Sequence, residues 1–448
     1  MSVDNLSGDA VHLHNLLAFL EPDRIHEDII QAGAKLIEDL DFGFLADAMA
    51  FGNAEEALLQ AALIRKDGAE RLLSIHPMIQ KAAIRRLDDA EKRKYFAVSV
   101  KLLSLGFPDT WSKDTGHQKA EWARCERYLR HVNNLVTIAS ETPELVSKPD
   151  EWANLLLRCS WYLYEKEQYT YTRLFTQAAL NHFTDRTTLA RASASDLLGL
   201  VDLDLHRPED ALRSFEIGLA VRQAVLPTND PLVAFSLNNL ALAYTELFEL
   251  EKAEDCHKKA IEIRTSNNSD RIGNSYSNYA VTLLRMGRAN EAEQVLMRCP
   301  SLQGCTDNTF LAADNPRFVG DMVLLSRIRK AQGRAHEAMR LAGKALTWRE
   351  KTHGNRFKTC DSTYDLGCLL HDDGEEDLAL EVLAKVSRIA ETLEGGEGHA
   401  ARAEWKTSQI LRAQGKDALA DEHLKDATLL REKIRPGGNL AAAVGDET

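Results

Sequence analysis

Histidine–glutamate pairs are the residues of this sequence whose types suit zinc chemistry, and they occur at His26–Glu27 and His336–Glu337. A zinc-binding helix needs a second histidine four residues after the first, so that both rings face the metal. Neither pair continues in that way. His12 and His14 are two residues apart, which on a helix directs their side chains to different faces. The sequence therefore predicts no metal, no cofactor and no catalytic residue, and we expect a protein that is not an enzyme.

A phosphate-binding loop would need the pattern Gly-x-x-x-x-Gly-Lys-Ser/Thr, whose backbone N–H groups surround the phosphates of a nucleotide. The nearest stretches are GKALT at 343–347 and GKDAL at 415–419, and both lack the glycine five positions earlier. The sequence therefore predicts no nucleotide-hydrolysing site of its own.

A strand-like run in RLLSIHPMIQ, residues 71–80, breaks at His76-Pro77 and turns into a helix. Upstream, LIRKDGAERLLSIH (63–76) indicates two short strands around Asp67-Gly68, which is a hairpin signal. Proline is tolerated in the first turn of the long helix that we expect from Pro77. Helices, a small β-wing and a further helix together favour a winged-helix-like domain over residues 1–107. His76 either caps or packs at this strand-to-helix joint, or it binds a ligand.

Composition indicates a folded, intracellular protein, with 44% hydrophobic and 27% charged residues. The net charge of −13 argues against non-specific binding to nucleic acid, because that binding needs clustered lysine and arginine. None of the seven cysteines forms a Cys-x-x-Cys pair, which suits reduced thiols in the cytosol or the nucleus. No apolar run approaches the roughly 20 residues of a membrane helix, and we expect no signal peptide.

One stretch of this acidic sequence is basic. MIQKAAIRRLDDAEKRKY (78–95), read as a single helix, has a local excess of positive charge. A basic helix in a winged-helix domain is one route to DNA binding. A solvated helix, or one that contacts another domain, is the alternative that we favour.

From about residue 150 the sequence repeats a unit of two apolar helices joined by a short turn. The turn carries Gly287, Gly333, Gly374 or Gly415 in the later units. In the second helix an alanine recurs at spacings of 39 to 46 residues: Ala211, Ala253, Ala292, Ala338, Ala379 and Ala420. Small residues are expected where two helices approach within about 8–10 Å, and glycine where a helix ends in a left-handed backbone conformation. The pattern predicts a solenoid of stacked helix pairs.

These units resemble the tetratricopeptide repeat family. The likeness is sharpest in two units, at Leu198, Gly199, Ala211 and Phe215, and at Leu240, Ala241, Tyr244, Ala253 and Ala260. The common repeat has about 34 residues and this one about seven more, close to two helical turns, so both helices can lengthen without changing their buried face. RQAVLPTNDPLVAFSLNNLALAY (222–244) is similar to the longer repeats of kinesin light chains. The resemblance implies about seven repeats over 150–433, preceded by a linker and bridging helix at 108–149 and followed by a disordered tail at 434–448.

With the repeats added, the whole chain resembles the C-terminal part of fungal NLR-type STAND receptors, in which a nucleotide-binding module precedes a winged helix and tetratricopeptide repeats. The likeness is carried by LLAFLEPDRIHEDII, LLSIHPMIQKAA, WARCERYLRHV and LLLRCSWYLYEKEQY. In that family a winged-helix histidine contacts the β-phosphate of ADP. The resemblance therefore implies that His76 is a remnant of this nucleotide sensor, although Pro77 replaces the family's acidic residue and the nucleotide-binding domain is missing.

Polar residues on the first helices are the predicted binding residues, because these helices line the concave surface of such a solenoid. Asn239 and Asn278 hold equivalent places, and an asparagine amide can both donate to and accept from a peptide backbone. The predicted groove residues are Asn238, Asn239, Asn278, Arg285, Arg327 and Lys330. The alternative for the asparagines is that they tie neighbouring repeats together.

The sequence thus predicts an all-α tetratricopeptide-repeat solenoid behind a small winged-helix-like domain with a short β-hairpin. The predicted function is that of a non-catalytic, cytoplasmic protein-binding module, the sensing half of a STAND-type receptor. Its partners would be a protein or peptide in the groove and a nucleotide-binding domain, with no membrane. The alternatives are a free-standing scaffold or adaptor and, third, a transcriptional regulator.

Overall fold

The computed structural model describes residues 6–109, 119–269, 271–306, 308–309 and 318–434. Two compact units divide the chain. The N-terminal unit comprises Met1–Glu165 and Leu174–Arg186, and the repeat unit comprises Lys166–Arg173 and Thr187–Thr448. Most of the predicted linker and of the predicted tail lies outside the described residues. Within the described ranges, no helix combines the length and the apolar character needed to cross a bilayer.

The N-terminal unit alternates helices with three short strands. Its elements are α1 (Gly8–Leu17), β1 (Ile25–His26), α2 (Glu27–Ala34), a 3-10 helix (Leu40–Ala46), α3 (Ala48–Gln60), β2 (Ile64–Asp67), β3 (Leu72–Ile75), α4 (Pro77–Arg86), α5 (Asp89–Gly106), α6 (Trp122–Glu141) and α7 (Pro149–Glu165). Short 3-10 turns at Lys119–Glu121 and Pro143–Leu145 flank α6.

The three strands form an antiparallel sheet in the order β1–β3–β2. Ile64 faces Ile75 across the β2–β3 hairpin, and Ile25 faces Leu73 on the other side of β3. These four apolar side chains are buried, so one face of the sheet closes the core of the unit. Asp67 accepts a hydrogen bond from the backbone of Ala69 (3.0 Å) in the connecting loop. The hairpin predicted at this aspartate is confirmed.

The prediction of a single long helix from Pro77 is wrong, because α4 ends before Leu87 and the chain is not helical at Leu87 and Asp88. The Asp88 side chain accepts from the Glu91 backbone N–H (2.8 Å), and the Glu91 carboxylate accepts from the Asp88 N–H (2.9 Å). This reciprocal pair satisfies two amide groups that a helix start leaves without partners. A new helix, α5, therefore begins at Asp89.

The bridging helix is present as α6, but its buried stripe differs from the prediction. Apolar spacing in EWARCERYLRHVNNLVTIA (121–139) predicts one buried stripe, of which only Cys125 and Val132 are buried. The other members of the predicted stripe are half-buried: Trp122, Leu129, Val136 and Ala139. The buried residues are Cys125, Tyr128, His131, Val132 and Leu135. Hydrophobic spacing predicted the helix correctly and its buried face only in part, because Tyr128 and His131 are buried outside the predicted stripe.

Stacked helix pairs make up the rest of the structure. Their helices are α8 (Tyr169–His182), α9 (Leu189–Asp204), α10 (Pro208–Val225), α11 (Pro231–Glu246), α12 (Leu250–Ser266), α13 (Ile272–Arg285), α14 (Ala289–Leu296), α15 (Phe318–Ala331), α16 (Ala335–His353), α17 (Phe357–Asp372), α18 (Glu376–Glu391), α19 (Glu397–Ala413) and α20 (Asp417–Ile434). The helices from α9 onward pack as six consecutive pairs, and α7 and α8 precede them in the chain as the first of seven helix–turn–helix units. Since α7 and most of α8 belong to the N-terminal unit, the predicted domain boundary at residue 150 stays a prediction.

The recurring alanine lies at the contact between the two helices of the second to seventh pairs, and Thr172 takes its place in the first pair. All six of these alanines are completely buried. Gly199, at the centre of α9, shows how close the helices are, because a Cβ added there would lie 2.5 Å from Cε1 of Phe215 on α10. The predicted fold class, an all-α solenoid of tetratricopeptide-like helix pairs, is confirmed.

The turn inside each pair places one residue in the left-handed region. In the last four pairs that residue is glycine, with φ between +74° and +86°: Gly287, Gly333, Gly374 and Gly415. Glycine adopts this conformation without the steric cost that a Cβ imposes. The glycine pattern in the sequence is therefore explained by the backbone.

A buried hydrogen-bond chain ties the third and fourth pairs together. His257 Nε2 lies 3.1 Å from Thr282 Oγ1, which in turn lies 2.7 Å from Thr245 Oγ1. Burial lowers the pKa of His257 to about 3, so this imidazole is neutral at physiological pH.

We predict that replacing Gly333 by alanine lowers the free energy of unfolding by about 1 kcal/mol, because alanine is strained at a left-handed φ. Gly343→Ala is the matched control, since it lies in α16 of the same pair with nothing within 4 Å of an added Cβ. Alanine there should be neutral or stabilising. Urea unfolding of the two variants measures the difference, and equal midpoints would contradict the assignment of strain.

We also predict that acid destabilises the protein through buried imidazoles. Because the folded pKa of His257 is about 3 and the unfolded value is 6.5, the unfolded chain binds more protons between these pH values. The stabilisation is complete above pH 6.5 and is lost as the pH falls below it. His257→Gln should remove about 2 kcal/mol of the difference in unfolding free energy between pH 7 and pH 5. Exposed His336→Gln is the control, and an equal effect of both substitutions on the pH dependence would refute the prediction.

Candidate partner-binding surface

Charged side chains follow one face of the first helices from pair to pair. We call this set the charged face, and it comprises Glu246 on α11, Arg285 on α13, Arg327 and Lys330 on α15, Asp361, Asp365 and Asp372 on α17, and Arg402 on α19. Each of these first helices buries its opposite, apolar face against neighbouring helices. Its charged residues are therefore placed on the charged face.

Three predicted groove residues, Arg285, Arg327 and Lys330, lie on the charged face, and each has a carboxylate partner on a neighbouring first helix. Arg285 Nη2 lies 3.0 Å from Glu246 Oε1, Arg327 Nη2 lies 2.9 Å from Asp365 Oδ2, and Lys330 Nζ lies 3.0 Å from Asp372 Oδ2. The Asp365 carboxylate also raises the pKa of Arg327. The charged face is therefore a ladder of ion pairs that links successive repeats.

The last ion pair of this ladder joins Asp361 to Arg402, and neither residue was among the predicted groove residues. Asp361 Oδ1 accepts from Arg402 Nη2 (2.8 Å) and lies 3.3 Å from His399 Nε2. Burial alone would raise the pKa of Asp361, but His399 and the guanidinium of Arg402 hold that pKa well below its usual range. Asp361 and Arg402 are 41 residues apart. Opposite charges separated by one repeat period were the sequence signal for this rung.

The two adjacent asparagines, Asn238 and Asn239, are buried, with exposed fractions of 4% and 2%. Asn239 faces Asp196 of the preceding pair. Burial raises the pKa of Asp196, and both Arg222 and the Asn239 side chain oppose that rise. Arg222 Nη1 donates to Asp196 Oδ2 and also to the Ser236 hydroxyl. Asn239 thus lies beside a buried ion pair, the arrangement expected if it ties repeats together, and its groove role stays a prediction.

Asn278 holds the equivalent place one repeat later and is half-buried. Its neighbour Ser277 donates to Asp321 Oδ1 (2.8 Å) on α15. The structure thus separates the two equivalent asparagines, because Asn239 lies in a buried charged network and Asn278 is half-buried outside it. The ligand-binding role of Asn278 stays a prediction too.

His76 lies at the joint between β3 and α4. Its Nδ1 accepts a hydrogen bond from the backbone N–H of Met78 (3.2 Å), so the imidazole caps α4. The side chain is otherwise exposed. Capping was one of the two interpretations of this residue, and a nucleotide-sensing role stays a prediction.

Metal binding has no support in the described ranges, where no group of three or more histidine, cysteine, aspartate or glutamate side chains is placed to hold an ion. The five buried cysteines are Cys125, Cys159, Cys299, Cys360 and Cys368. Burial raises the pKa of the Cys125 and Cys360 thiols to about 12, which disfavours the reactive thiolate.

We predict that Asn239→Ala lowers the free energy of unfolding by about 1–2 kcal/mol, because the buried Asp196 loses a polar neighbour. Asn278→Ala, at the equivalent half-buried place, should change the stability by less than about 0.5 kcal/mol. Urea unfolding at pH 7 compares the two variants. Equal losses would show that Asn239 has no special part in the buried network.

Two protein-family models match the sequence. Residues 1–92 match a domain of unknown function, DUF7779, and residues 189–266 match the tetratricopeptide repeat. The second match begins at the first residue of α9 and ends at the last residue of α12, so it covers two complete helix pairs. No curated protein matches the chain.

Solved structures also resemble the chain. The Rap conjugation gene regulator of the plasmid pLS20, solved in complex with the Phr* peptide, is 13% identical, with a TM-score of 0.49 over 83% of this chain and 93% of that one. A STAND protein with a tetratricopeptide repeat sensor from Pyrococcus horikoshii is 16% identical, with a TM-score of 0.42 over 99% of this chain and 65% of that one.

The matched residues carry the same buried alanine and the same left-handed turn as the pairs that follow them. The geometry of the matched repeats therefore extends along the rest of the solenoid. The chain contains tetratricopeptide repeats, a fold that is generally a non-catalytic scaffold for protein interactions.

Proposed function

We propose that this chain is the sensing and regulatory part of a STAND-type signalling protein, and that it binds a protein or peptide along its charged face. The observation that carries the proposal is the run of charged side chains on the first helices of successive pairs. In a solenoid these helices line the concave surface, where extended partners bind.

The ion pairs within the charged face do not prevent a partner from binding to it. The side chains of Arg327 and Lys330 are each 41% exposed. Pairs between such exposed groups contribute only about 0–1 kcal/mol. A carboxylate of the partner can therefore replace Asp372, whose side chain is 40% exposed, at little cost, and a cation of the partner can then pair with Asp372.

The N-terminal unit supports the receptor part of the proposal. Its elements follow the order helix, strand, helix, helix and β-hairpin, which is the order expected of the predicted winged helix. In STAND receptors this domain lies between the nucleotide-binding module and the repeats. A nucleotide-binding domain is accordingly the second proposed partner, with the exposed ring of His76 as a contact.

The basic stretch 78–95 gives less support to DNA binding. The helix break divides its cations, and Lys94 Nζ lies 2.5 Å from Asp41 Oδ2 and 3.1 Å from Asp39 Oδ2. Lys92 lies 3.3 Å from Asp89. Cations that are paired in this way contribute less to contacts with phosphate, so we favour a protein partner.

We predict that neutralising the charged face weakens partner binding. Peptides selected from a displayed random library on the full chain provide the probe. The variant Arg285→Gln, Arg327→Gln, Lys330→Gln should bind them at least about tenfold more weakly, since three charge contacts of about 0.5 kcal/mol each are lost. The matched control replaces Lys259, Lys351 and Lys425, which are exposed on second helices, by glutamine.

Equal binding of the selected peptides to both triple variants would refute the groove assignment, provided that circular dichroism shows both to be folded. The receptor assignment is tested separately by mapping the native transcript. A reading frame that joins this sequence to an upstream Gly-x-x-x-x-Gly-Lys-Ser/Thr loop supports a sensor. A transcript without one favours the free-standing scaffold.

A further inference from the structure

The turns of the first three helix pairs lack the glycine that the later turns have at the left-handed position. Where the later pairs have glycine, the residues are Glu167, His206 and Phe248, with φ of +55°, +58° and +58°. A side chain in this left-handed conformation is strained, and such strain persists only where the surrounding structure enforces it. These three side chains therefore need a physical reason to be where they are.

Glu167 contacts a segment far away in the sequence. It belongs to the stretch Lys166–Arg173 of the repeat unit and is 2% exposed. Its carboxylate accepts a hydrogen bond from the backbone N–H of Lys358 at the start of α17 (3.0 Å), and His353 Nδ1 lies 3.7 Å from Oε1. Two residues on, the ring of Tyr169 stacks on that of Phe357 with centroids 4.8 Å apart.

His206, in the turn between α9 and α10, reaches the start of α19. Its ring lies 4.8 Å from that of His399, centroid to centroid. A Cβ at Gly398 would lie 2.3 Å from Cδ2 of His206, and a Cβ at Gly395 would lie 2.8 Å from Cδ2 of Leu205. The turn therefore fits against this segment only because both positions are glycine.

The two contacts meet in one continuous row of rings. His399 also lies 5.2 Å from Phe357, centroid to centroid, so Tyr169, Phe357, His399 and His206 follow one another. We call these four residues together with Glu167 the closing contact. It joins the turns of the first and second pairs to the sixth and seventh pairs.

A solenoid without such a contact is held only by neighbour-to-neighbour packing. Small changes at each interface then accumulate along the array, so the distance between its two ends can vary. The closing contact connects the two ends of the repeat unit directly. It also reaches the charged face, because His399 lies 3.3 Å from Asp361, which binds Arg402.

We propose that the closing contact is a conformational latch that fixes the repeat unit in a closed superhelical turn. Glu167 and His206 replace glycine at a strained position because their side chains form the latch. When the latch opens, the ends of the repeat unit separate and the spacing of Asp361 and Arg402 is no longer fixed.

The test replaces the latch residues by the residue that the other turns use. In the double variant Glu167→Gly, His206→Gly both turns lose strain, so lower turn stability cannot explain an opening. Phe248→Gly is the matched control. It relieves the same strain, but Phe248 contacts Arg285 of the adjacent pair (5.2 Å from ring centroid to guanidinium) and takes no part in the closing contact.

In the double variant the backbone amide of Lys358 should exchange with solvent about tenfold faster than in Phe248→Gly, because its acceptor is lost. The radius of gyration from small-angle X-ray scattering should increase. Gly398→Ala opens the latch from the other side and should give the same increase, with Gly343→Ala as its control. Unchanged exchange and radius of gyration in both latch variants would overturn the proposal. The readouts need no partner, so this result is independent of the proposed function.

Discussion

Close packing of two helices at a buried alanine is the contact on which the rest of the structure depends. It lets the second helix of each pair approach the first, and the left-handed turn lets the chain reverse between them. One pair buries too little apolar surface to be stable alone, so each pair requires its neighbours. Stacking then brings the first helices side by side, and their polar residues form the charged face.

The sequence predicted this part of the structure because the constraint is local and repeats. Gly333 and Ala338 lie within one turn and one helix, and a left-handed turn followed by a buried alanine recurs in every pair after the first. The hairpin at Asp67 was likewise predictable, since a hairpin depends on a few adjacent residues. Arg285 and Arg327 lie about one repeat period apart in the sequence, so both lie on the charged face, and their role in a groove stays a prediction.

The rest of the site depends on contacts that the hydrophobic pattern of the repeats does not reveal. Asn239 and Asn278 hold equivalent places, yet Asn239 lies beside the buried pair of Asp196 and Arg222. In the next repeat the equivalent arginine, Arg264, is also buried, but it donates to the Ser275 hydroxyl and a backbone carbonyl instead of to a carboxylate. The rung of Asp361 and Arg402 required pairing charges across one repeat rather than within one helix. The break at Asp88 depends on a capping box inside a stretch whose hydrophobic pattern is continuous.

The residues that depart from the repeat pattern carry information of their own. A turn that needs a left-handed residue favours glycine, and any other residue there costs free energy. Glu167 and His206 bear that cost at two turns whose side chains reach pairs near the opposite end of the array. On the other side, Gly398 occurs where a larger residue would exclude the His206 ring. A missing glycine and an additional one are therefore two parts of the same long-range contact, and such complementary departures can locate contacts between distant repeats where the regular pattern cannot.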